Sequence, residues 1–189
     1  MKKFEDDITN SINVLRDDGI ILYPTDTIWG VGCDATNAIA LKKIYLLKKR
    51  VEKKSMIILL AHENEIKNYV LNPSKKIIDF LSNQTTPTTA IFKNAINLPA
   101  ELINKDGTIA IRIVKEDFCQ MLIERLKSPL VSTSANISGD HYPKTFKEIN
   151  AEIKGGVDYV VQHRQDEIKL HQASSIIKLN SDGKIEKMR

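Results

Sequence analysis

The sequence predicts an α/β fold: a single-domain twisted sheet of mixed parallel and antiparallel strands, with helices on its flanks. Three observations lead there. Helical and extended stretches interleave along all 189 residues, with no repeat, low-complexity tract or linker between them. Hydrophobic residues make up 42% of the chain, enough to bury a full core in one domain. Finally, 108–114 alternates with period two, Ile109, Ile111 and Ile113 on one face and Thr108, Ala110 and Arg112 on the other.

In chain order, Ile8, Ile12 and Leu15 give 4–18 a helical period, and Gly19 follows where a cap glycine is expected. An apolar strand, Ile20 to Tyr23, ends at Pro24, which cannot continue a central ladder. Thr25, Asp26 and Thr27 then sit at a strand end, where α/β proteins bind ligands. The stretch fits either a turn that satisfies its own backbone or one wall of a site. Trp29 to Gly32 reads as a second extended piece, with Trp29 as a core anchor. Residues 30–35 match G-x-G-x-x-A, but a polar loop precedes them where a dinucleotide fingerprint needs a strand joined directly to a helix.

A second helix is expected over 37–49, capped by Thr36 or Asn37. Ala40, Leu41, Ile44, Tyr45 and Leu47 share an apolar sector, and Lys48 is the charge that falls inside it. Such a lysine either snorkels to water or points into a cleft at the helix end. Arg50 and Lys54 follow before the strand Met56 to Leu60. Helical turns over 63–69 and 73–81, a polar loop over 84–89 and a strand over 90–92 come next, then an irregular excursion over 94–105. Arg112, on the second face of its strand, needs an anionic partner if covered, or lies exposed on an edge. A helix over 117–125 precedes a strand start at Pro129, after which Ser132, Ser134 and Asn136 recur at period two, aimed alike if the chain stays extended. A Ser/Thr-rich turn is the competing account. Segment 146–153 reads as helix, 159–161 as strand, 163–171 as polar loop, and 174–179 with 184–188 as closing strands.

Composition narrows the class. Cys33 and Cys119 lie far apart and the four histidines are scattered, which predicts a reducing compartment and no zinc. The N-terminus is charged and no apolar run approaches the ~20 residues that span a bilayer, so a cytoplasmic protein is expected. A net charge of +4 permits a polyanionic partner. Lys42, Lys43, Lys48, Lys49, Arg50, Lys53 and Lys54 cluster in one window, either a solvated helix face or a basic surface.

The loop Pro24-Thr-Asp-Thr27 with Gly30 and Gly32, the run Lys48-Lys-Arg50, the strand Thr108 to Arg112 and the segment Ser132-Thr-Ser-Ala-Asn136 together resemble the YrdC/Sua5 family of threonylcarbamoyl-AMP synthases. The likeness covers nearly the whole chain, in order, as one YrdC-like domain over 1–189. It implies a nucleotidyltransferase that joins L-threonine, bicarbonate or CO2, and ATP, with Mg2+ accompanying the ATP, into threonylcarbamoyl-AMP and pyrophosphate. It also implies a partner, a transferase complex that modifies tRNA beside the anticodon, and permits RNA contact. Position by position, Thr27, Arg112, Ser132 and Ser174 would hold threonine. Lys48, Arg50, Lys54, Thr108, Ser134, Asn136 and Arg189 would hold ATP, with Lys48 and Arg50 stabilising charge in the reaction. The chain departs from the family at Val51 (usually proline), at Thr86-Pro87-Thr88-Thr89 (usually P-G-P-x-T) and at Ser174 to Lys178 (usually S-T-V-V-D). Asp26 could cap the turn, orient a metal, or meet the substrate amine. Two competing functions are a double-stranded RNA or tRNA binding module of the same fold and a related carbamoyl-adenylate enzyme. The scarcity of aromatics, 6% of residues, weighs against stacking on bases.

Overall fold

A computed structural model describes residues 4–50, 56–168, 172–180 and 182–188. Helix α1, Glu5–Arg16, carries Glu5, Asp6 and Asp7 in its first turn and Arg16 in its last, the order that complements a helix dipole. Ile8 and Leu15 are buried. The residue that turns left-handed after it is Asp18 (φ 54°), not Gly19. Gly19 answers a need for space: a Cβ there would lie 2.4 Å from Val14 Cγ1.

The other helices are α2 (Ala38–Leu47), α3 (Lys75–Ser82), α4 (Asp117–Leu126) and α5 (Ala151–Gly155). Among the described residues nine strands form one sheet: β1 (Ile21–Tyr23), β2 (Gly30–Gly32), β3 (Ile57–Leu60), β4 (Thr88–Phe92), β5 (Ile109–Ile113), β6 (Leu130–Ser134), β7 (Tyr159–Val160), β8 (Ser175–Leu179) and β9 (Ile185–Lys187). Their order is β7-β1-β2-β6-β3-β5-β4-β8-β9. The pairs β1–β7, β3–β5 and β4–β8 are parallel and the others antiparallel, the mixed sheet the interleaved pattern predicts. Helix α1 packs on α4, α4 on β3, and α3 on β4.

Three expectations change. The polar loop over 84–89 is shorter, because Thr88 and Thr89 belong to β4, paired with Ser175 and Ile176; β-branched threonine suits a half-buried pleat. Segment 146–153 divides into a 3-10 turn, Phe146–Glu148, and α5, which Asn150 caps by accepting from the Glu152 amide at 2.8 Å. The helical turns expected over 63–69 are one residue shorter, a 3-10 helix over Glu63–Asn68.

Register decides which side chains meet. Ser132 pairs with Ile57 and Ile57 with Ala110; Arg112 pairs with Thr89 and Thr89 with Ile176; Ser134 pairs with Gly30. Directly paired residues project to the same side. One face of the sheet therefore gathers Ser132 and Ser134 of β6, Arg112 of β5 and Thr89 of β4.

Candidate active site

The loop after β1 is organised by Thr25, which is buried. Its Oγ1 donates to Ile28 O at 2.8 Å and accepts from the Thr27 amide at 2.9 Å. A hydroxyl has one hydrogen, and this one goes to a carbonyl that can only accept. In the 2.9 Å contact between the Thr25 and Thr27 hydroxyls, Thr27 is accordingly the donor. That leaves the Thr27 oxygen as an acceptor at the cavity it lines.

Gly30 and Gly32 form β2 rather than a phosphate-binding turn. A Cβ on Gly32 would lie 2.1 Å from Val131 O and 2.7 Å from Tyr23 Cε1; on Gly30 it would lie 3.1 Å from Ser132 Oγ. The two glycines let the buried Tyr23 ring lie over β2 with its hydroxyl donating to Val131 O at 3.0 Å. The G-x-G-x-x-A pattern thus serves close strand packing.

A cavity of about 240 Å3 opens over this face, and Thr27, Arg50, Arg112, Ser132, Ser134 and Ser174 all line it. They come from the loop after β1, the segment after α2, β5, β6 and the approach to β8. Arg112 is 2% exposed, and its Nη2 lies 3.1 Å from Asp26 Oδ1. This is a charge pair without hydrogen-bond alignment: Arg112 Nε and Nη2 and Asp26 Oδ1 are all buried with no hydrogen-bond partner among the described residues. Arg50 likewise keeps Nε and Nη1 buried without one. Burial lowers the Arg50 pKa, yet a guanidinium remains charged at physiological pH. Ser174 Oγ lies 2.8 Å from Thr89 Oγ1, which ties the 174 segment to β4. The cavity presents two guanidinium groups and several hydroxyls, a donor set suited to carboxylate and phosphate oxygens.

Lys48 lies behind this lining. It follows the buried stripe Ala40, Leu41 and Ile44 and is itself 2% exposed. Its Nζ donates to Ser134 O and, at 2.6 Å, to Asn136 O, while Ser138 N donates to Lys48 O at 3.0 Å. The lysine thus neither snorkels nor enters the cavity; it clamps the turn after β6. Burial, with the neighbouring Arg50 charge, pulls its pKa down to about 7.

Asn136 leaves the row that period two predicts, because β6 ends at Ser134 and the chain turns. Its Nδ2 donates to Ile137 O and Asp140 O at 3.0 and 2.7 Å, and its Oδ1 is buried without a hydrogen-bond partner among the described residues. Thr108 stands four residues from Arg112 along β5, roughly 13 Å at strand rise. Its hydroxyl donates to Asp106 Oδ1 at 2.7 Å, and it lines a separate, larger cavity of about 980 Å3 with Ile91, Asn104 and Lys178. Lys54 and Arg189 lie outside the described residues.

Sequence reasoning missed other lining residues. Tyr142, 43% exposed, stands at the cavity mouth, and Ile57 and Ile176 supply apolar floor. A lone aromatic in the polar stretch 138–145 is the signal that could have found Tyr142. The two isoleucines read as ordinary strand residues until register places them.

A family model described as "telomere recombination", for Sua5, YciO and YrdC, matches residues 13–189. A threonylcarbamoyl-AMP synthase of Idiomarina loihiensis is 32% identical over 146 residues, covering 76% of this chain and 78% of that one. E. coli YciO superposes with a TM-score of 0.81 at 23% identity, over 97% of this chain and 88% of YciO. Sua5 of P. abyssi, solved with L-threonine, superposes with a TM-score of 0.84 at 20% identity, over 96% of this chain and 53% of that longer one. The two superpositions establish a shared fold.

Proposed function

The chain belongs to the Sua5/YciO/YrdC family, and on that premise we propose that it is a threonylcarbamoyl-AMP synthase, condensing L-threonine, bicarbonate or CO2, and ATP with release of pyrophosphate. The observation that carries the reading is the convergence of Thr27, Arg50, Arg112, Ser132, Ser134 and Ser174, scattered over nearly 150 positions, on one cavity. A volume of about 240 Å3 is below the ~300–1,000 Å3 typical of pockets for drug-sized ligands and suits an amino acid.

Arg112, whose Nε and Nη2 make no aligned hydrogen bond among the described residues although Asp26 lies beside Nη2, takes the threonine carboxylate, and the Thr27 oxygen accepts from the substrate's hydroxyl or amine. Ser132 and Ser174 complete the pocket. A site that hydrogen-bonds a substrate hydroxyl discriminates strongly against analogues lacking it. Loss of a proton and addition of CO2 turn the amine into a carbamate. A carbamate oxygen then attacks the α-phosphorus of ATP, the bond to the bridging oxygen breaks, and pyrophosphate leaves with its electron pair. No protein nucleophile is needed; the protein positions mutually repelling anions and stabilises charge on the leaving group.

Arg50, with two unpartnered donors, faces the phosphates. Lys48 contributes from beneath: its charge and its hold on Ser134 O and Asn136 O shape the turn that presents Ser134 and Asn136 to the nucleotide. Thr108, which lines the separate larger cavity, is assigned to ATP by the family pattern. Lys54 and Arg189 are assigned to ATP by the family pattern alone. Mg2+ accompanying ATP would neutralise phosphate charge during the transfer. The product passes to a tRNA-modifying transferase complex in the cytoplasm. An RNA-binding module is less well supported, because two lysines of the basic window are paired with carboxylates: Lys49 with Glu152 at 2.8 Å and Lys43 with Asp158 at 3.9 Å.

The test is pyrophosphate release with threonine and bicarbonate omitted in turn. Strict dependence on both is expected. Release without threonine would reassign the site to another carbamoyl-adenylate chemistry.

A further inference from the structure

We infer that Arg164, in a loop with no counterpart among the site residues named above, is a positioning residue that fixes the Pro24–Ile28 loop and so sets the Thr27 oxygen toward substrate. The inference rests on the threonine reading above for its kinetic consequence, and on geometry alone for its structural one.

The geometry starts at Asp7. Its buried carboxylate accepts from Gln162 N at 2.9 Å and from His163 N at 2.8 Å, which pins the chain entering the turn. Glu167 N donates to Arg164 O at 3.1 Å and closes that turn. Arg164 itself is left-handed, with φ 67°, a conformation uncommon outside glycine. Its guanidinium is held as firmly as its backbone. Glu167 Oε2 takes Nε at 2.7 Å and Nη2 at 2.6 Å, on the edge of the fork away from Nη1. Nη1 is thereby aimed at Thr25 O, to which it donates at 2.9 Å.

Thr25 is the residue whose hydroxyl organises the loop. The preceding carbonyl, Pro24 O, accepts from Cys119 Sγ at 3.3 Å, and Cys119 N donates to Glu116, whose Oε1 lies 3.8 Å from Arg164 Nη1. Two successive carbonyls of the loop are thus fixed from outside the site, one through the start of α4 and one through Arg164. The Arg164 bond is the stronger of the two, because a charged donor reaches a carbonyl whereas a thiol is a weak donor. With Thr25 O held, the Thr25 hydroxyl can satisfy Ile28 O and the Thr27 amide together, and Thr27 is oriented in consequence. Arginine suits this task because a planar fork binds carboxylate and carbonyl at once, which a lysine ammonium on a flexible stem does less rigidly.

The test compares the full chain with Arg164→Ala and Arg164→Lys. Amide hydrogen exchange in the absence of ligand should speed up at Thr27 by about tenfold or more in Arg164→Ala, and by less in Arg164→Lys, with Phe92 in the distant β4 unchanged. In pyrophosphate release, the threonine KM should rise by about tenfold in Arg164→Ala while the ATP KM stays within about twofold, with partial recovery in Arg164→Lys. Unchanged Thr27 exchange overturns the inference whatever the kinetics, as does faster exchange with an unmoved threonine KM. A wild-type chain showing no threonine dependence overturns the proposed function instead, and the exchange comparison then decides the role of Arg164 by itself. Should Arg164→Ala fail to fold, Arg164→Lys and Glu167→Gln carry the same comparison.

Discussion

The three cations of the proposed site differ in how they are held, and that difference sets what each substitution should do. Arg50 keeps two buried donors without hydrogen-bond partners among the described residues. Its replacement by alanine should lower turnover by roughly 10²-fold, the loss typical of one electrostatic stabiliser, measured as single-turnover pyrophosphate release. Near-normal release would remove Arg50 from the reaction. Arg112→Ala should instead raise the threonine KM well above that for ATP, because it leaves a substrate carboxylate without its fork; equal change in both constants would refute the assignment. Lys48 makes a pH prediction. Its folded pKa of about 7 lies below the ordinary 10.5. Between those values the unfolded chain holds a proton that the folded chain has released, so this group makes stability rise with pH across that window. Below it, folding must bury the charge. Lys48→Met should erase this component, and parallel urea-midpoint profiles from pH 6 to 10 in both proteins would show that the lysine is not depressed. Of these residues, Arg112 and Lys48 were legible in the sequence as charges on apolar faces, but Asp26 as the neighbour of Arg112 was not, because 86 positions separate them.

At the scale of elements, chain-local signals were mostly sufficient. Alternation of isoleucine places β5, the sector of Ala40, Leu41 and Ile44 places α2, and Asn37 caps that helix by accepting from Ile39 N and Ala40 N at 2.9 and 3.0 Å. The misread elements are those where a neighbour overrides local chemistry. Thr88 and Thr89 look like loop until β8 pairs with them, and Asn136 looks extended until β6 loses its partner strand. β2 is extended, as its sequence predicts, but the reason for its glycines is tertiary. Tyr23 and Val131 O occupy the space a side chain at Gly32 would need, and Ser132 Oγ crowds the one at Gly30, which no spacing rule reveals. Gly32→Ala should cost about 1–3 kcal/mol, the usual range for overpacking a filled site, and should lower the urea midpoint with no change in slope. A neutral substitution would mean that β2 and β6 separate more readily than their register implies.

At the scale of the whole molecule, long-range polar ties hold the outer layers to the sheet. Asp7 joins α1 to the chain around β7 by accepting from Tyr159 OH at 2.7 Å as well as from Gln162 N and His163 N. Asp7→Ala would strand three partly buried donors and should cost on the order of 3 kcal/mol, read from urea unfolding. It should also loosen the turn that carries Arg164, so threonine use should weaken with it; an unaltered threonine KM would separate the two roles. No helix among the described residues is long and apolar enough to cross a membrane. The sequence by itself determined the class of fold, the succession of elements, the family, and the residue types of the site, because periodicity, capping and motif chemistry act over a few neighbouring positions. Only the tertiary structure decided which of those residues share a cavity, that Lys48 clamps a turn from behind, that Asp26 faces Arg112, and that Arg164 reaches Thr25. Those outcomes depend on strand order and register, and a carbonyl and a guanidinium 139 positions apart meet only after the sheet has brought their segments together.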